Sequence, residues 1–457
     1  MKIDRIQLKN FKLFEEFELP LHPEFTLLIG ENGSGKTSIL DALAIACGVW
    51  LYEVPDKNVH NSRVPLSVDH VRVEWQTLGD RPQFVPSINE SGYFAHGTIG
   101  DQKVKWSQTI VMLEKFSTGL EPVRSEIARL IKAAVAGNQL LPVIAYYGAG
   151  RAWLPHRERR KSSEPIRNPR SRWEAFYDCL NERIRIADLK NWFADEAIER
   201  GNRRNASYRP GFEVVKQAIL RCVPQANDAW YDTGRSDIVL SIANKPQPFS
   251  NLSAGQQMMV AMVADIAIKC VTQNNFLVPP ETLGAEDEPL PRVLSETPGV
   301  VLIDEIDVHL HPKWQRRVVE DLRTTFPKIQ FVATTHSPFV VQSMREEELR
   351  NLHGQAIPDL GNTGVEAISR GLMNVSRPDV SQRYDQMVHT AKNYLMELEE
   401  AKKVPIEKLS AYEEALAKHI APYADNPAFQ AFLELKREGK LGQLRSRNGR
   451  NGKNEGQ

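Results

Sequence analysis

Apolar and polar positions along this chain change their spacing several times, and each change marks an element. Residues 1–46 read as strand, hairpin, strand, loop and helix. "KIDRIQL" is strand-type from the outset, "FTLLIG" is a short β-rich apolar run, and "KTSILDALAIA" has so few polar positions that its helix should be buried. Between residues 70 and 113 the period drops to two, with Val71, Val73 and Trp75 in one stretch and Val104 and Trp106 before "IVML" in another. That alternation predicts an antiparallel sheet with one wet face. A helix near 122–136 then leads into the apolar strand "LPVIAYY".

Beyond residue 150 the pattern breaks. Residues 151–172, "RAWLPHRERRKSSEPIRNPRSR", hold eight basic residues, two acidic ones and three prolines, which predicts a loop or arm. Residues 173–222 look helical and carry a second basic cluster, "ERGNRRNASYR". "DIVLSIA" returns to strand, followed by the turn "NLSAGQ" and a long apolar helix. The segment "TQNNFLVPPETLGAEDEPLPRVLSETPG" has five prolines and an acidic knot, so it predicts a long loop that is functional or disordered. Two strand-type runs follow, "VVLIDE" and "IQFVATTH", separated by a helix that includes "WQRRVVEDLRTTF". From about 356 the pattern is helical and amphipathic, ending in a basic, glycine-rich tail expected to be disordered. The expected division is a first core lobe over 1–150, a helical basic insertion over 151–234, a second core lobe over 235–355 and a helical region over 356–457.

Composition narrows the class. Basic and acidic residues tie at 58 each, so net charge argues neither for nor against nucleic acid, and only local clustering can. Cys47, Cys179, Cys222 and Cys270 are far apart with no CxxC pair, which argues against zinc and a disulfide framework and fits a reducing cytoplasm. The N-terminus lacks the basic end and apolar run of a signal peptide. No stretch reads as the roughly 20 apolar residues of a membrane span. A soluble, cytoplasmic protein without a membrane partner is expected.

The chemistry lies in four motifs. "GENGSGKT" fits the phosphate-loop pattern G-x-x-x-x-G-K-[ST], with a β-rich run before it and a helix after. Gly30, Glu31, Asn32, Gly33, Ser34 and Gly35 would wrap phosphate with backbone N–H groups. The helix N-terminus, with Ser38 in its first turn, adds partial positive charge. Lys36 would reach the β- and γ-phosphates, and the Thr37 hydroxyl would ligate Mg²⁺. "VVLIDE" is an apolar strand ending in two carboxylates, where Asp304 is placed to hold Mg²⁺ and Glu305 to deprotonate the attacking water. In "TTHSP", His336 follows another apolar strand and could donate to the γ-phosphate. In "HLHP", His309 and His311 lack a nearby third ligand, so a dimer-contact loop is the better reading than a metal site.

The fourth motif is the turn "LSAGQ", holding Ser253, Ala254, Gly255 and Gln256. It resembles the signature motif, usually LSGGQ, of the ATP-binding-cassette superfamily. With the other three motifs, in this order over residues 30–338, the chain is similar to the non-transporter branch that includes RecF, SMC and OLD-type ATPases. The resemblance implies an α/β fold: a P-loop ATPase core of mostly parallel sheet plus an antiparallel β-subdomain, with a helical insertion and a C-terminal helical region. It also implies ATP and Mg²⁺ as ligands and a head-to-tail dimer. There Ser253, Ala254, Gly255 and Gln256 close over the partner's ATP, with Ser253 and Gly255 touching the γ-phosphate in trans. Two departures stand out. Ala254 replaces the usual glycine, and "AYYGAGR" occupies the place of the family's Q-loop glutamine, leaving Tyr147 and Arg151 as candidates for related work.

The insertion of roughly 85 residues is broken by proline and glycine, so it is no coiled coil of the SMC kind. After residue 340 there is no DxD pair and no His-Asn-His arrangement, which argues against a nuclease centre in this chain. "PVIAYYGAGR", the small insertion and "YADNPAFQAFLELKREG" resemble the ATPase subunit of Septu-type anti-phage systems, the PtuA group also found beside retrons. That resemblance implies a separate HNH nuclease partner. The basic runs at 151–172 and 200–209 leave direct contact with nucleic acid open. The alternative is a stand-alone RecF-like DNA-repair ATPase. A transporter subunit and a non-hydrolysing, ATP-gated scaffold are further rivals.

Overall fold

Phe25–Ile29 forms a strand with every residue buried, and three more strands share that character: Val143–Tyr147, Gly299–Ile303 and Ile329–Thr334. In this computed structural model they line up, with the short strand Leu349–Asn351, into one parallel sheet. Its order is Leu349–Asn351, Phe25–Ile29, Ile329–Thr334, Gly299–Ile303 and Val143–Tyr147. A parallel sheet has both faces covered, which is why these runs are apolar throughout and do not alternate. The structure describes residues 1–375 except 79–80, 112–114, 153–170, 204–206, 279–289 and 353–362, together with 378, 386, 389, 393 and 396. The chain divides into two compact units, Met1–Asn374 and Val375–Gln457. The expected C-terminal helices beyond Val365–Gly371, the basic tail, most of the first basic run and the acidic knot lie outside the described residues.

Alternate residues of each parallel strand feed different cores. Leu28, Leu302 and Val332 face a layer that contains the helix Lys36–Cys47, through Leu40 and Leu43, and beyond it Ile6, Leu8 and Ala95 of an antiparallel sheet. Leu27, Ile29, Val301 and Ile303 face the opposite core, formed largely by the helix Ala254–Gln273 through Met259, Val260 and Val263. The antiparallel sheet runs in the order Phe14–Pro20, Lys2–Phe11, Ser91–Ile99, Gln102–Val111 and Lys115–Thr118. Both helices are apolar nearly all round because each lies between layers. Ala254–Gln273 is long and apolar enough to pass for a membrane span, with a mean hydropathy of 1.2, but its residues build the core.

Two segments depart from the expected pattern. Val71, Val73 and Trp75 were expected to mark a half-buried strand, yet among the described residues Val73–Leu78 pairs only with Arg81–Pro86, as a separate two-stranded hairpin. Val71 is buried and bridges to Phe11, but Trp75 and Phe84 are 60% and 66% exposed. No second layer covers this hairpin among the described residues, so the two rings pack edge-on against each other at 4.7 Å. Within the expected helical insertion, Ile186–Asn202 and Pro210–Cys222 are helices, but Ala226–Asp232 is a strand that pairs with Asp237–Ile242.

One buried side chain joins the two sheets. Gln330, in the middle of the parallel sheet, is fully buried. Its amide nitrogen donates to the Ile3 carbonyl at 2.8 Å and the His22 carbonyl at 2.9 Å, while its oxygen accepts from the Ile3 N–H at 2.8 Å. Gln330→Leu keeps the volume but strands three backbone groups, each worth roughly 1–3 kcal/mol when buried without a partner. A urea melt is expected to show a loss of about 3–5 kcal/mol. A loss below about 1 kcal/mol would mean that Gln330 does not hold the sheets together.

Candidate nucleotide site

Parallel pairing brings the ends of the strands to one edge. Ile303 is level with Tyr147 on one side and Ala333 on the other, and Thr334 is level with Leu28. Gly30, Asp304, Thr335 and Gly148, each the first residue beyond its strand or one step past it, therefore emerge together. In open parallel sheets this C-terminal edge is where ligands bind.

The loop after Phe25–Ile29 turns through Gly33 at φ 82° and Gly35 at φ 94°, a left-handed conformation that glycine adopts without strain. At Gly35 an added Cβ would also strike Phe14 at 2.4 Å, whereas nothing lies within 4 Å of one at Gly33. The helix that begins at Lys36 has no side-chain cap on its first N–H groups. Within the loop the Ser34 hydroxyl is buried with no hydrogen-bond partner. Lys36, almost wholly buried, folds its ammonium back onto the loop's own carbonyls, donating to Gly30 at 2.8 Å and Glu31 at 2.9 Å. Burial lowers its pKa, and the nearby Asp304 and Glu305 carboxylates oppose that shift. Uncapped N–H groups, an orphaned hydroxyl and a desolvated cation are what a phosphate group would satisfy together.

Opposite the loop, the Thr37 hydroxyl donates to Asp304 Oδ2 at 2.9 Å. The other carboxylate oxygen accepts from the Thr334 hydroxyl at 2.5 Å, and Asp304 is buried. Thr37 and Asp304 thus present adjacent hard oxygens of the type Mg²⁺ takes. Glu305, half-buried, has φ 48°, a left-handed backbone unusual for a residue with a side chain. Its N–H donates to Thr334 Oγ1 at 2.8 Å and the next N–H, from Ile306, to the Thr334 carbonyl at 2.9 Å. His336 is exposed at the end of the same strand, and its backbone N–H donates to Asp307 Oδ1 at 3.4 Å. The Thr335 hydroxyl also donates to that oxygen. His311 caps the short helix Pro312–Gln315 by accepting from the Lys313 N–H. Among the described residues no three His, Cys, Asp or Glu side chains form a metal-binding group.

The "LSAGQ" residues divide. Ser253 and Ala254 are exposed, and Ser253 is the N-cap of Ala254–Gln273, where it forms a capping box with Gln256. The Ser253 N–H and hydroxyl both donate to Gln256 Oε1 at 2.9 Å, so Gln256 is occupied within its own chain. Gly255 is buried, and an added Cβ would meet the His309 carbonyl oxygen at 2.2 Å.

Three features of this region were not singled out from the sequence. Glu182 lies against Gly148, the position just past Tyr147, where an added Cβ would meet its Cβ and Oε2 at 2.7 Å. Burial, and then the Asp41 and Asp304 carboxylates, push the Glu182 pKa up. Lys12 pairs with Asp41, and the Tyr146 hydroxyl donates to the same carboxylate at 3.2 Å. Arg172, the last member of the first basic run, turns inward. It donates to the carbonyls of Gln273 at 2.6 Å, Ala134 at 3.0 Å, Gly137 at 3.2 Å and Gln139 at 2.5 Å. It therefore ties down two helix C-termini, which removes it from any phosphate contact. In the second basic run Arg209 is likewise engaged with Glu196, and Arg200 lies 4.6 Å from the Tyr208 ring centre. A residue count cannot tell such inward cations from solvated ones.

Two segments of the chain match models of known families. Residues 1–49 match the model of an AAA ATPase domain, and residues 219–342 match that of an AAA domain described as putative AbiEii toxin, Type IV TA system. The chain is 24% identical over 400 residues to the Retron Vc95 probable ATPase of Vibrio cholerae serotype O1 biovar El Tor, covering 77% of this chain and 73% of that protein. It is 24% identical over 514 residues to the Retron Ec83 probable ATPase of Escherichia coli, covering 96% and 87%. It is 25% identical over 403 residues to the Septu protein PtuA of Bacillus mycoides (strain KBAB4), covering 84% of this chain but only 46% of that protein. The two ATPase-domain matches include the phosphate loop at one end and Asp304, Glu305 and His336 at the other.

Proposed function

From a chain homologous over most of its length to the retron and Septu PtuA ATPases, and so itself an ATP-binding ATPase, we propose a regulatory subunit of an anti-phage defence complex. It closes head to tail with a second copy around two ATP molecules and thereby controls a separate HNH-type nuclease in the cytoplasm. The observation that carries the reading is the split in the signature turn. Ser253 and Ala254 are exposed at a helix N-terminus, with Ser253 oriented by its capping box with Gln256, while Gly255 is buried against the His309 carbonyl, which leaves the outward side of the turn accessible to a ligand brought by another molecule.

In this mechanism the phosphate loop and the start of the Lys36–Cys47 helix hold the triphosphate through backbone N–H groups, with the Ser34 hydroxyl as a further donor. Lys36 exchanges its two carbonyl partners for phosphate oxygens. Thr37 and Asp304 would hold Mg²⁺, which would supply positive charge to offset that of the triphosphate. Glu305 takes the proton of the attacking water as the new bond to phosphorus forms and the bond to the ADP oxygen breaks. His336 donates a hydrogen bond to the γ-phosphate. Ser253 of the second copy completes the site, so that hydrolysis requires the dimer.

The test is sedimentation of the purified chain with and without ATP, for wild type and Ser253→Arg. Wild type is expected to shift to the dimer mass with ATP, and Ser253→Arg to remain at the protomer mass while still binding ATP. A mass indifferent to both ATP and the substitution would sink the head-to-tail reading.

A further inference from the structure

Tyr147 closes the edge strand of the parallel sheet and sits in two networks at once. Its backbone carbonyl accepts the N–H of Asp304 at 2.8 Å. Its side chain, 3% exposed, donates its hydroxyl to Asp265 Oδ2 at 2.7 Å. Asp265 lies about three turns into the Ala254–Gln273 helix and also pairs with Lys269, one turn further on. At its front end the same helix rests Gly255 on the His309 carbonyl, four residues beyond Glu305. The helix that begins behind Ser253 is thus tied to the segment Asp304–His309 in two places: in its middle through Tyr147, whose phenol holds Asp265 and whose carbonyl holds the Asp304 N–H, and at its tip by a direct close backbone contact.

We propose that Tyr147 is a positioning residue: its hydrogen bond to Asp265 holds the signature helix in register with the Asp304–Glu305 end of the sheet, and so sets how Ser253 is presented to the partner's ATP. The inference rests on the head-to-tail reading. Its physical basis is that packed helices can shift by small shear motions, and a directional hydrogen bond to a charged acceptor between a buried strand and helix favours one of those relative positions. Burial and the Asp265 carboxylate raise the hydroxyl pKa, so Tyr147 stays a donor throughout the working pH range.

Tyr147→Phe is the direct test because it removes the hydroxyl and little else. Asp265 keeps Lys269 and is partly solvated, so the fold should survive. ATP binding to single protomers, measured in the non-dimerising Ser253→Arg background, is expected to be unchanged. The protein concentration needed for ATP-driven dimers should rise about 10-fold and kcat should fall by a similar factor, the scale of one hydrogen bond to a charged acceptor. Asp265→Asn keeps a neutral acceptor for the phenol but loses the charge, and is expected to fall between wild type and Tyr147→Phe. Asp265→Ala should match Tyr147→Phe, and the double variant should be no worse than either.

A Tyr147→Phe protein that dimerises and turns over like wild type overturns the inference alone. Equal weakening of protomer ATP binding also overturns it, since the phenol would then act on its own pocket. If wild type forms no ATP-driven dimer, the head-to-tail reading fails and this inference fails with it.

Discussion

Glu305→Gln is expected to lower ATP turnover about 10²–10⁴-fold, the usual contribution of a positioned general base, while ATP still binds. The amide has nearly the shape of the carboxylate but cannot take a proton from water. Its position should be kept, because the backbone there is determined from outside the side chain. The φ of 48° at Glu305 is held by its N–H on the Thr334 hydroxyl, by Ile306 on the Thr334 carbonyl and by Val308 closing back on the Glu305 carbonyl at 3.0 Å. A non-glycine residue at a left-handed φ carries strain of order 1–3 kcal/mol, which persists only where the surroundings impose it. If hydrolysis is what releases the dimer, the variant should also accumulate as an ATP-bound dimer in sedimentation. Turnover at the wild-type rate would remove Glu305 from the role of base and leave the strained turn without a chemical explanation.

What could be read from the sequence follows from the range of the interactions. The phosphate loop is local: glycine spacing, a preceding β-rich run and a following helix lie within about a dozen residues, and the left-handed turns at Gly33 and Gly35 follow directly. The apolar strands were legible for the same reason, since burial on both faces leaves an unbroken run. Periodicity failed where it carries no direction. Val71, Val73 and Trp75 alternate as a half-buried strand would, but whether a layer covers them depends on the rest of the chain, and Trp75 is left outside.

The ties that organise the site are longer in range still. Thr37 meets Asp304 across 267 positions and Tyr147 meets Asp265 across 118, through residues whose neighbours in sequence give no hint of each other. The Gln330 amide reaches Ile3 across 327 positions, and only the order of strands in the sheet makes that contact possible. Motif order could place the phosphate loop and the acidic strand end in one protein. It could not supply the Thr334 hydroxyl that lies between their strands and orients Asp304.

Gly255→Ala is the second substitution expected to act strongly, and it separates two reasons for a glycine in the signature turn. A Cβ at 255 would stand 2.2 Å from the His309 carbonyl oxygen and 3.0 Å from its carbon, both backbone atoms, so no rotamer change relieves the clash. The opposing loop is poorly able to yield. His309 is already at φ 61°, Leu310 N–H is bonded to the Asp307 carbonyl at 3.0 Å, and Gln315 donates to the Leu310 carbonyl at 2.8 Å. Overpacking of this kind costs about 1–3 kcal/mol, and the helix tip or the Glu305–His309 loop must shift by something like 1 Å. A displacement of that size at a catalytic group can lower the rate about 100-fold. Protomer ATP binding should be spared, because the phosphate loop stands on other elements. Ala254→Gly supplies the contrast: that residue is exposed at the same turn, and removing its methyl introduces no clash with its own chain and keeps the backbone N–H, so turnover should stay within about twofold. If Gly255→Ala kept wild-type turnover, the His309 loop would have to be soft and the contact irrelevant to catalysis. If both substitutions were equally damaging, the turn would be sensitive through its outward face, and the cis contact would not be what requires glycine at 255. A large effect confined to Gly255 would mean that the residue is needed by its own chain before any partner arrives: the signature turn must sit on the loop behind Glu305 for Ser253 to face outward at all.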